Sequence, residues 1–185
     1  MTRVPAAKSW TELESQFRKI ADGASVLVTS ANPEIFLRQS RPQSWSAAEC
    51  LAHLNLSADP YFVAWEREFE QAPRVENPQD FHKLDFWGKV LYWMLEPPPR
   101  LRFPTSAPFR PVNIDFPEKV LPEFLERQRR ILETLQHARN FDVDHIKIAS
   151  PFEARVRYSI WSSFCVTAAH ERRHLWQAER ALTAA

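Results

Sequence analysis

Two histidines near the end of the chain have the spacing of a metal-binding pair on a helix. Residues 170–174 read His-Glu-Arg-Arg-His, which places His170 and His174 four positions apart. Side chains at positions i and i+4 of an α-helix share one face, where both imidazoles can reach a single metal ion. Histidine pairs also occur on helix surfaces without a metal, so the spacing alone gives the two interpretations about equal weight.

The same five residues match the HExxH motif of zinc metalloproteases, in which the glutamate is the general base for a metal-bound water. Those enzymes take a third metal ligand from further along the chain. Here residues 175–185 contain one acid, Glu179, which lies on a different face of the predicted helix. A protease is therefore disfavoured. Glu171 stays a candidate general base, and the alternative is a surface acid that pairs with an arginine.

A third ligand could come from one of the four other histidines, which are His53, His82, His137 and His145. His53 lies beside an apolar stripe of its predicted helix and can point inward, either as a ligand or as an ordinary buried histidine. His137 lies near a helix end among exposed charges, while His82 and His145 lie near predicted breaks. We expect none of these last three to be a ligand.

Apolar residues recur at helical spacing along most of the chain. Two capping boxes, each a serine followed three residues later by a glutamate, begin at Ser9 and Ser46. The first helix is predicted to stop at Asp22-Gly23, and Pro60 is expected to kink the second helix without ending it. Further helices are predicted from Pro33, over 81–96, over 117–138 and over about 158–182, with a strand-like piece at 145–148.

Four of the predicted helices are long, and the connections between them are rich in proline. Long amphipathic helices joined in this way predict an all-α fold, a four-helix bundle formed by a single domain over residues 1–185. The chain has 15 prolines but two glycines, Gly23 and Gly88. A dinucleotide fingerprint or a phosphate-binding loop needs several glycines in one turn, so those nucleotide-binding classes are excluded.

The charge and hydropathy of the chain exclude further classes of protein. It has 24 lysines and arginines against 23 aspartates and glutamates, a net charge of +1, which argues against nucleic acid as a partner. No stretch approaches the roughly 20 apolar residues that cross a membrane, and residues 1–8 lack the apolar core of a signal peptide. Cys50 and Cys165 lie in apolar segments and fit a reducing compartment, so we expect a cytoplasmic protein.

Residues 97–117 hold seven prolines and form a stiff connection whose length indicates a functional or a mobile segment. Side chains of this segment and of the helix before it are candidate walls of a ligand pocket. The preceding helix supplies aromatics that pack in the core or face such a pocket: Phe86, Trp87, Tyr92 and Trp93. The loop supplies basic residues that bind an anionic cosubstrate or are simply solvated: Arg100, Arg102 and Arg110.

Two strings at opposite ends of the chain resemble the DinB-like superfamily. Residues 45–54, WSAAECLAHL, are similar to the start of its metal-bearing helix, and residues 170–177, HERRHLWQ, are similar to its closing signature. The resemblance implies a four-helix bundle in which one histidine of the second helix and two of the last bind a divalent metal, commonly zinc or nickel. Carried over to this chain, the ligands would be His53, His170 and His174.

The resemblance also implies a class of reaction. Structural zinc usually has four protein ligands, so three histidines with open coordination positions indicate a catalytic site. The superfamily includes S-transferases and isomerases that depend on a low-molecular-weight thiol such as bacillithiol or mycothiol. We therefore expect a metal-dependent transferase of this type acting on a small-molecule substrate, with a hydrolase as the next choice. The alternative is a non-catalytic, stress-linked metal-binding bundle.

Two polar residues are candidates to orient the ligands. A metal-bound imidazole donates its other N–H to a partner, and Glu49 and Gln177 lie four residues before His53 and three residues after His174. For Glu49 the capping box is an equally good explanation. Members of the superfamily often form dimers, which makes a homodimer a further expectation.

Overall fold

Helices dominate the computed structural model, which describes residues 3–42, 44–101, 105–111 and 114–184. These ranges contain six α-helices: α1 (Trp10–Ser30), α2 (Pro33–Leu37), α3 (Ala47–Gln71), α4 (Phe86–Leu95), α5 (Pro117–Ala138) and α6 (Ile160–Thr183). A short 3-10 turn covers Ala107–Phe109. Two short strands, β1 (Lys147–Ala149) and β2 (Arg157–Ser159), pair antiparallel with Ile148 opposite Tyr158.

The four long helices α1, α3, α5 and α6 form the bundle. Helices α1 and α3 each pack against both α5 and α6, so the four enclose one core and α3 lies directly against α6. The largest fully buried side chains in this core include Trp65, Trp161, Tyr158, Phe17, Phe62 and Phe124. The prediction of an all-α four-helix bundle is confirmed, with α4 as an added helix that packs on α6.

Helix α3 begins at the predicted capping box. The Ser46 hydroxyl accepts a hydrogen bond from the backbone N–H of Glu49 at 3.1 Å, and the Glu49 carboxylate accepts one from the Ser46 N–H at 2.6 Å. These two bonds satisfy backbone donors that the first turn of a helix leaves free. The helix then continues through Pro60 to Gln71. The capping box therefore fixes where the helix starts, and His53 lies on its second turn, six residues after Ala47.

The predicted stop of α1 at Asp22-Gly23 is wrong, because the helix continues to Ser30. Gly23 faces solvent, and an added Cβ there would meet nothing within 4 Å. Glycine costs a helix interior only about 1 kcal/mol relative to alanine. Beyond it, Ala24 and Leu27 continue the buried stripe of the helix, and their burial outweighs that cost.

The predicted helix over 81–96 is shorter than expected and begins at Phe86. Asp85 caps it by accepting the N–H of Gly88 at 2.8 Å, and residues 81–84 lie outside the helix. The same carboxylate accepts the N–H of Ser159 at 2.7 Å and the ammonium of Lys147 at 2.6 Å. Asp85 therefore joins the start of α4 to the start of α6, the helix that carries two of the candidate ligands.

Helix α6 begins beside this joint. Ser159 caps it by accepting the N–H of Ser162 at 3.1 Å, and the Ser162 hydroxyl donates to Asp85 at 3.1 Å. Within the described ranges no helix combines the length and the apolar character needed to cross a membrane. The long helices are instead partners in the bundle, and α6 is buried along most of its first three turns.

Candidate metal centre

Three imidazoles from two helices come together where α3 packs against α6. His53 comes from α3, and His170 and His174 come from successive turns of α6. One ring nitrogen of each lies within 4.8 Å of one ring nitrogen of both others. His53 and His174 are buried, with 3% and 7% of their surface exposed, and His170 is partly buried. A group of this composition and spacing can hold a metal ion.

The ring of His53 is oriented by a backbone carbonyl. Its Nδ1 lies 2.7 Å from the carbonyl oxygen of Phe109, which can only accept, so Nδ1 carries the proton. Its Nε2 is then unprotonated and has a lone pair available for a metal, and it lies 3.2 Å from Nε2 of His170. Two nitrogens bound to one zinc ion at 2.0–2.1 Å with tetrahedral angles are roughly 3.3 Å apart. The residues present therefore fit a divalent metal.

The third imidazole supports the same fit. Nδ1 of His174 is buried and has no hydrogen-bond partner among the described groups. A buried polar nitrogen without a partner is costly unless something else binds it. The imidazole rings of His174 and His53 have centroids 4.4 Å apart, and those of His174 and His170 are 4.6 Å apart. All three rings thus face one shared volume.

Burial keeps these imidazoles neutral, which is the form that binds metals. Burial lowers the pKa of His53 below its ordinary value, against a smaller opposite effect of its hydrogen bond to Phe109. Burial, followed by the nearby His53 and Arg173, lowers the pKa of His170 to about 3. The pKa of His174 is also lowered well below its ordinary value, mainly by burial. Protons therefore compete weakly for this site near neutral pH.

The three other histidines lie elsewhere, as expected. His82 is buried and its Nδ1 lies 3.0 Å from Asp144, while its ring stacks on Trp161 with centroids 4.2 Å apart. His145 is exposed and pairs with Asp142 three residues earlier. His137 packs against Phe69 and Phe141. None of the three joins the histidine cluster of the described residues.

Aromatic rings surround the cluster, but they are not the predicted ones. The ring of Trp45 lies 4.9 Å from that of His53 and 5.6 Å from that of His174, on which it stacks. On the other side, the Phe152 ring lies 6.0 Å from His170 and 4.7 Å from Phe109.

The aromatics of α4 face away from the cluster or pack beside it. Phe86, Trp87 and Trp93 are exposed, because α4 turns its other side to α6. Tyr92 is buried, and its hydroxyl donates to the carbonyl of Val4. The aromatic wall expected from this helix and the proline-rich segment stays a prediction. Sequence periodicity showed that the helix was apolar on several faces, but it could not show which face meets α6.

The basic residues of the proline-rich segment have partners of their own. The guanidinium of Arg100 lies 4.5 Å above the ring of Trp93, and Nε of Arg110 donates to the carbonyl of Thr105 at 2.8 Å. Arg102 lies outside the described residues. An anion site formed by these arginines stays a prediction.

The two candidate orienting residues are placed differently. Glu49 forms its capping box and also accepts from Gln39 at 3.0 Å, while the partner of His53 is the Phe109 carbonyl. Gln177 lies beside His174, and its side-chain hydrogen bond with that histidine acts to raise the pKa of His174 against the larger effect of burial, so its orienting role stays a prediction. A backbone carbonyl carries no side-chain signal, so the sequence could not identify Phe109.

Glu171 is buried rather than a surface acid. It is 3% exposed, and its Oε1 accepts a hydrogen bond from Nε2 of Gln128 on α5 at 2.8 Å. Burial raises its pKa to about 8, against smaller lowering effects of Gln128 and Arg172. The expected arginine partner is taken elsewhere, since Arg172 pairs with the buried Glu96 at 2.6 Å. Glu171 thus faces α5, away from the shared volume of the three imidazoles.

The cysteines also lie apart from the metal group. Cys50 is fully buried, and burial followed by the nearby Glu49 raises the pKa of its thiol. Burial likewise raises the pKa of Cys165 to about 12. Thiols held protonated in this way act as small apolar side chains rather than as metal ligands.

Two cavities border the region. One of about 10 Å³ lies between α3 and α6 and is lined in part by His170 and Glu171. The other, a cleft of about 240 Å³, lies beside the first turn of α3, and its lining includes Ser46, Glu49 and Ile114 but none of the three histidines. The larger cleft therefore lies beside the histidine cluster rather than over it.

The fold and the site define a helical bundle in which three histidines from two facing helices form a group that can hold a metal ion. The family model of the DinB superfamily matches residues 16–178, which include all three histidines. The chain belongs to the DinB superfamily. No curated protein and no solved structure matches the chain.

Proposed function

We propose that this protein is a metal-dependent enzyme in which His53, His170 and His174 hold a divalent ion, zinc or nickel. The observation that carries the proposal is the convergence of three neutral imidazoles without a fourth His, Cys, Asp or Glu ligand among the described residues. Structural zinc sites are usually closed by four protein ligands, whereas catalytic sites have three and leave a position for an exogenous ligand.

The leading reaction is transfer of a low-molecular-weight thiol to a small electrophile, with hydrolysis as the next choice. A divalent ion at this site would supply stabilisation of a thiolate at neutral pH. In this proposal the Phe109 carbonyl holds the ring of His53 in one orientation. Trp45, half-buried against two of the imidazoles, excludes water from one side of the cluster.

Metal analysis tests the first step of the proposal. Purified wild type is expected to carry about one divalent ion per chain, and His53→Ala is expected to lose it because two histidines on one helix bind far more weakly than three. His145→Ala is the matched control, since that histidine is exposed and pairs with Asp142. Unchanged metal content in His53→Ala would overturn the three-histidine site.

A conjugation assay tests the second step. The metal-loaded protein is incubated with an aryl halide and with bacillithiol, mycothiol or cysteine in turn, and thioether formation is measured. Activity with one of these thiols that is lost in His53→Ala supports the transferase. A metal-loaded protein that is inactive with every thiol contradicts it.

The second candidate is a metal-binding bundle without a reaction of its own. The observation that favours it is the small volume beside the metal group, because the described cavity that His170 lines is only about 10 Å³. In that case the metal would stabilise the fold, and metal content would persist without turnover of any thiol or ester substrate.

A further inference from the structure

The small cavity beside His170 has the size and the lining of a site for one water molecule. Its volume of about 10 Å³ is close to the least that a water molecule needs. Polar side chains form much of its wall, namely those of Ser57, Tyr61, Thr167, His170 and Glu171. Apolar cavities of this kind stay dry, whereas polar ones with two to four available partners hold ordered water.

Glu171, which lines this cavity, has one oxygen without a hydrogen-bond partner among the described groups. Its Oε1 is bonded to Gln128, but its Oε2 is buried and has no hydrogen-bond partner among the described groups. Leaving a buried carboxyl oxygen without a partner is unfavourable, so such atoms in folded proteins usually meet a water or an ion.

Two hydroxyls of the wall are positioned to accept from a water. The Thr167 hydroxyl donates to the carbonyl of Ser163 at 2.9 Å, and the Ser57 hydroxyl donates to the carbonyl of Leu54 at 3.1 Å. Each hydroxyl has one proton, and these are already used, so their remaining lone pairs are acceptors. A water in the cavity could donate to one of them as well as to Glu171.

His170 supplies a donor. Its Nε2 lies 3.2 Å from Nε2 of His53, so the ring nitrogen left over for a second partner is Nδ1. A metal-bound histidine almost always donates its other N–H to a carboxylate, a carbonyl or a water. His53 has the Phe109 carbonyl for this purpose, and no described protein group plays that role for His170.

We propose that this cavity binds one water molecule that bridges Nδ1 of His170 and Oε2 of Glu171, which makes Glu171 a positioning residue of the metal centre. The inference rests on the proposed metal site and changes the part that Glu171 plays in it. Glu171 acts through the water and through His170, and it does not face the shared volume of the three imidazoles.

Two variants of matched shape separate this role from simple packing. Glu171→Met and Gln128→Met are both close in volume to the native residues, and both remove the hydrogen bond between these side chains. Only Glu171→Met also removes the unpartnered oxygen of a side chain that lines the cavity. Zinc affinity is measured for each by competition with a chelator, after thermal melts in excess chelator have shown that each variant is folded.

We expect Glu171→Met to weaken zinc binding by about tenfold or more, the usual cost of losing an outer partner of a metal ligand. Gln128→Met should stay within about threefold of wild type. Glu171→Gln should also stay within about threefold, because its amide still offers one hydrogen-bonding group to Gln128 and one to the water. Equal losses in the two methionine variants, or no loss in Glu171→Met, would overturn the positioning role.

A crystal structure of the zinc-loaded wild type tests the water itself, whether or not the variants fold. A water within hydrogen-bond distance of both His170 Nδ1 and Glu171 Oε2 is expected, and a zinc-loaded site without it sinks this inference alone. A wild type that binds no zinc, with the cavity water present, sinks the proposed function instead.

Discussion

The three imidazoles of the cluster are held in different ways. His53 is fixed by a carbonyl at 2.7 Å, whereas His174 has a buried nitrogen without a partner among the described groups. A histidine whose second nitrogen is already bonded loses little freedom when it binds a metal, because its orientation and tautomer are set. In the proposed metal site His53 would therefore be the preoriented ligand, and the loop at Phe109 would contribute through its backbone.

Asp85 is the residue with the most partners at the joint between α4 and α6. Burial acts to raise its pKa, but hydrogen bonds from Lys147, Gly88 and Ser159 outweigh this and lower it. Because its folded-state pKa is below the unfolded value of about 3.9, the carboxylate stabilises the fold at any pH above that value. The contribution is lost as the pH falls through the folded-state pKa.

Asp85→Asn should therefore lower the free energy of unfolding at pH 7 by about 1–2 kcal/mol, since one carboxylate oxygen becomes an NH2 group that cannot accept and the charge that pairs with Lys147 is lost. The difference from wild type should begin to shrink below about pH 4, where the carboxyl group of the unfolded chain becomes protonated, and should be lost as the pH falls through the lower folded-state pKa. Urea unfolding at pH 7, 5 and 3 measures it. A difference that stays constant over this range would contradict the assigned ion pair.

The three histidines show how much of the candidate site can be predicted from residue type and spacing. The spacing of His170 and His174 predicts a shared face, and the structure brings these two rings and His53 together. Sequence spacing could not show Trp45 as a neighbour of the cluster, although its position just before the Ser46 cap places it at the start of the same helix. Contacts made by loops, such as those of Phe109 and Phe152, depend on tertiary packing that no local pattern specifies.

At the level of the elements, most helix bounds agree with the prediction, and the two that do not are the end of α1 and the start of α4. The capping box at Ser46 forms as predicted, whereas at Ser9 only the serine caps the helix, because the Glu12 carboxylate accepts from the N–H of Lys8 instead of that of Ser9. Helix α5 covers the predicted 117–138. The stop at Gly23 fails because glycine is also tolerated inside a helix whose buried stripe continues. The start of α4 was missed because Asp85 is a cap through contacts with α6 as well as with its own helix.

Replacing each of the two glycines of the chain with alanine should change the stability of the fold in opposite directions. A Cβ at Gly88 would lie 2.5 Å from Cβ of Ser162 and would overlap its hydroxyl, so α4 approaches α6 only because this side chain is absent. Gly88→Ala should lower stability by about 1–3 kcal/mol, as overpacking does. Gly23→Ala meets nothing within 4 Å and should raise it by about 0.5–1 kcal/mol.

Urea unfolding of both variants measures these shifts in one experiment. Gly23→Ala serves as the control for helix propensity, because it makes the same chemical change at a helical position where the new methyl group meets no atom within 4 Å. A stabilising effect at both sites would show that α4 and α6 are not in the close contact described.

At the level of the whole molecule, the histidine cluster joins segments that are distant along the chain. His53 and His170 are 117 residues apart, and they connect α3 to α6 across the bundle core. An ion held by both helices binds the folded state and not the unfolded chain, so its binding energy adds to the stability of the fold. Metal binding and global unfolding should therefore be coupled.

Free zinc at 100 times its dissociation constant should stabilise wild type by about 2.7 kcal/mol. For a chain of 185 residues this corresponds to a rise in Tm of about 5–10 °C. The rise should be absent in His53→Ala and retained in His145→Ala, because only the first variant breaks the link between α3 and α6. Differential scanning fluorimetry at several zinc concentrations, with chelator as reference, measures it. An equal rise in wild type and His53→Ala would mean that zinc binds outside the cluster, since no bundle-crossing ligand would then contribute to the stabilisation.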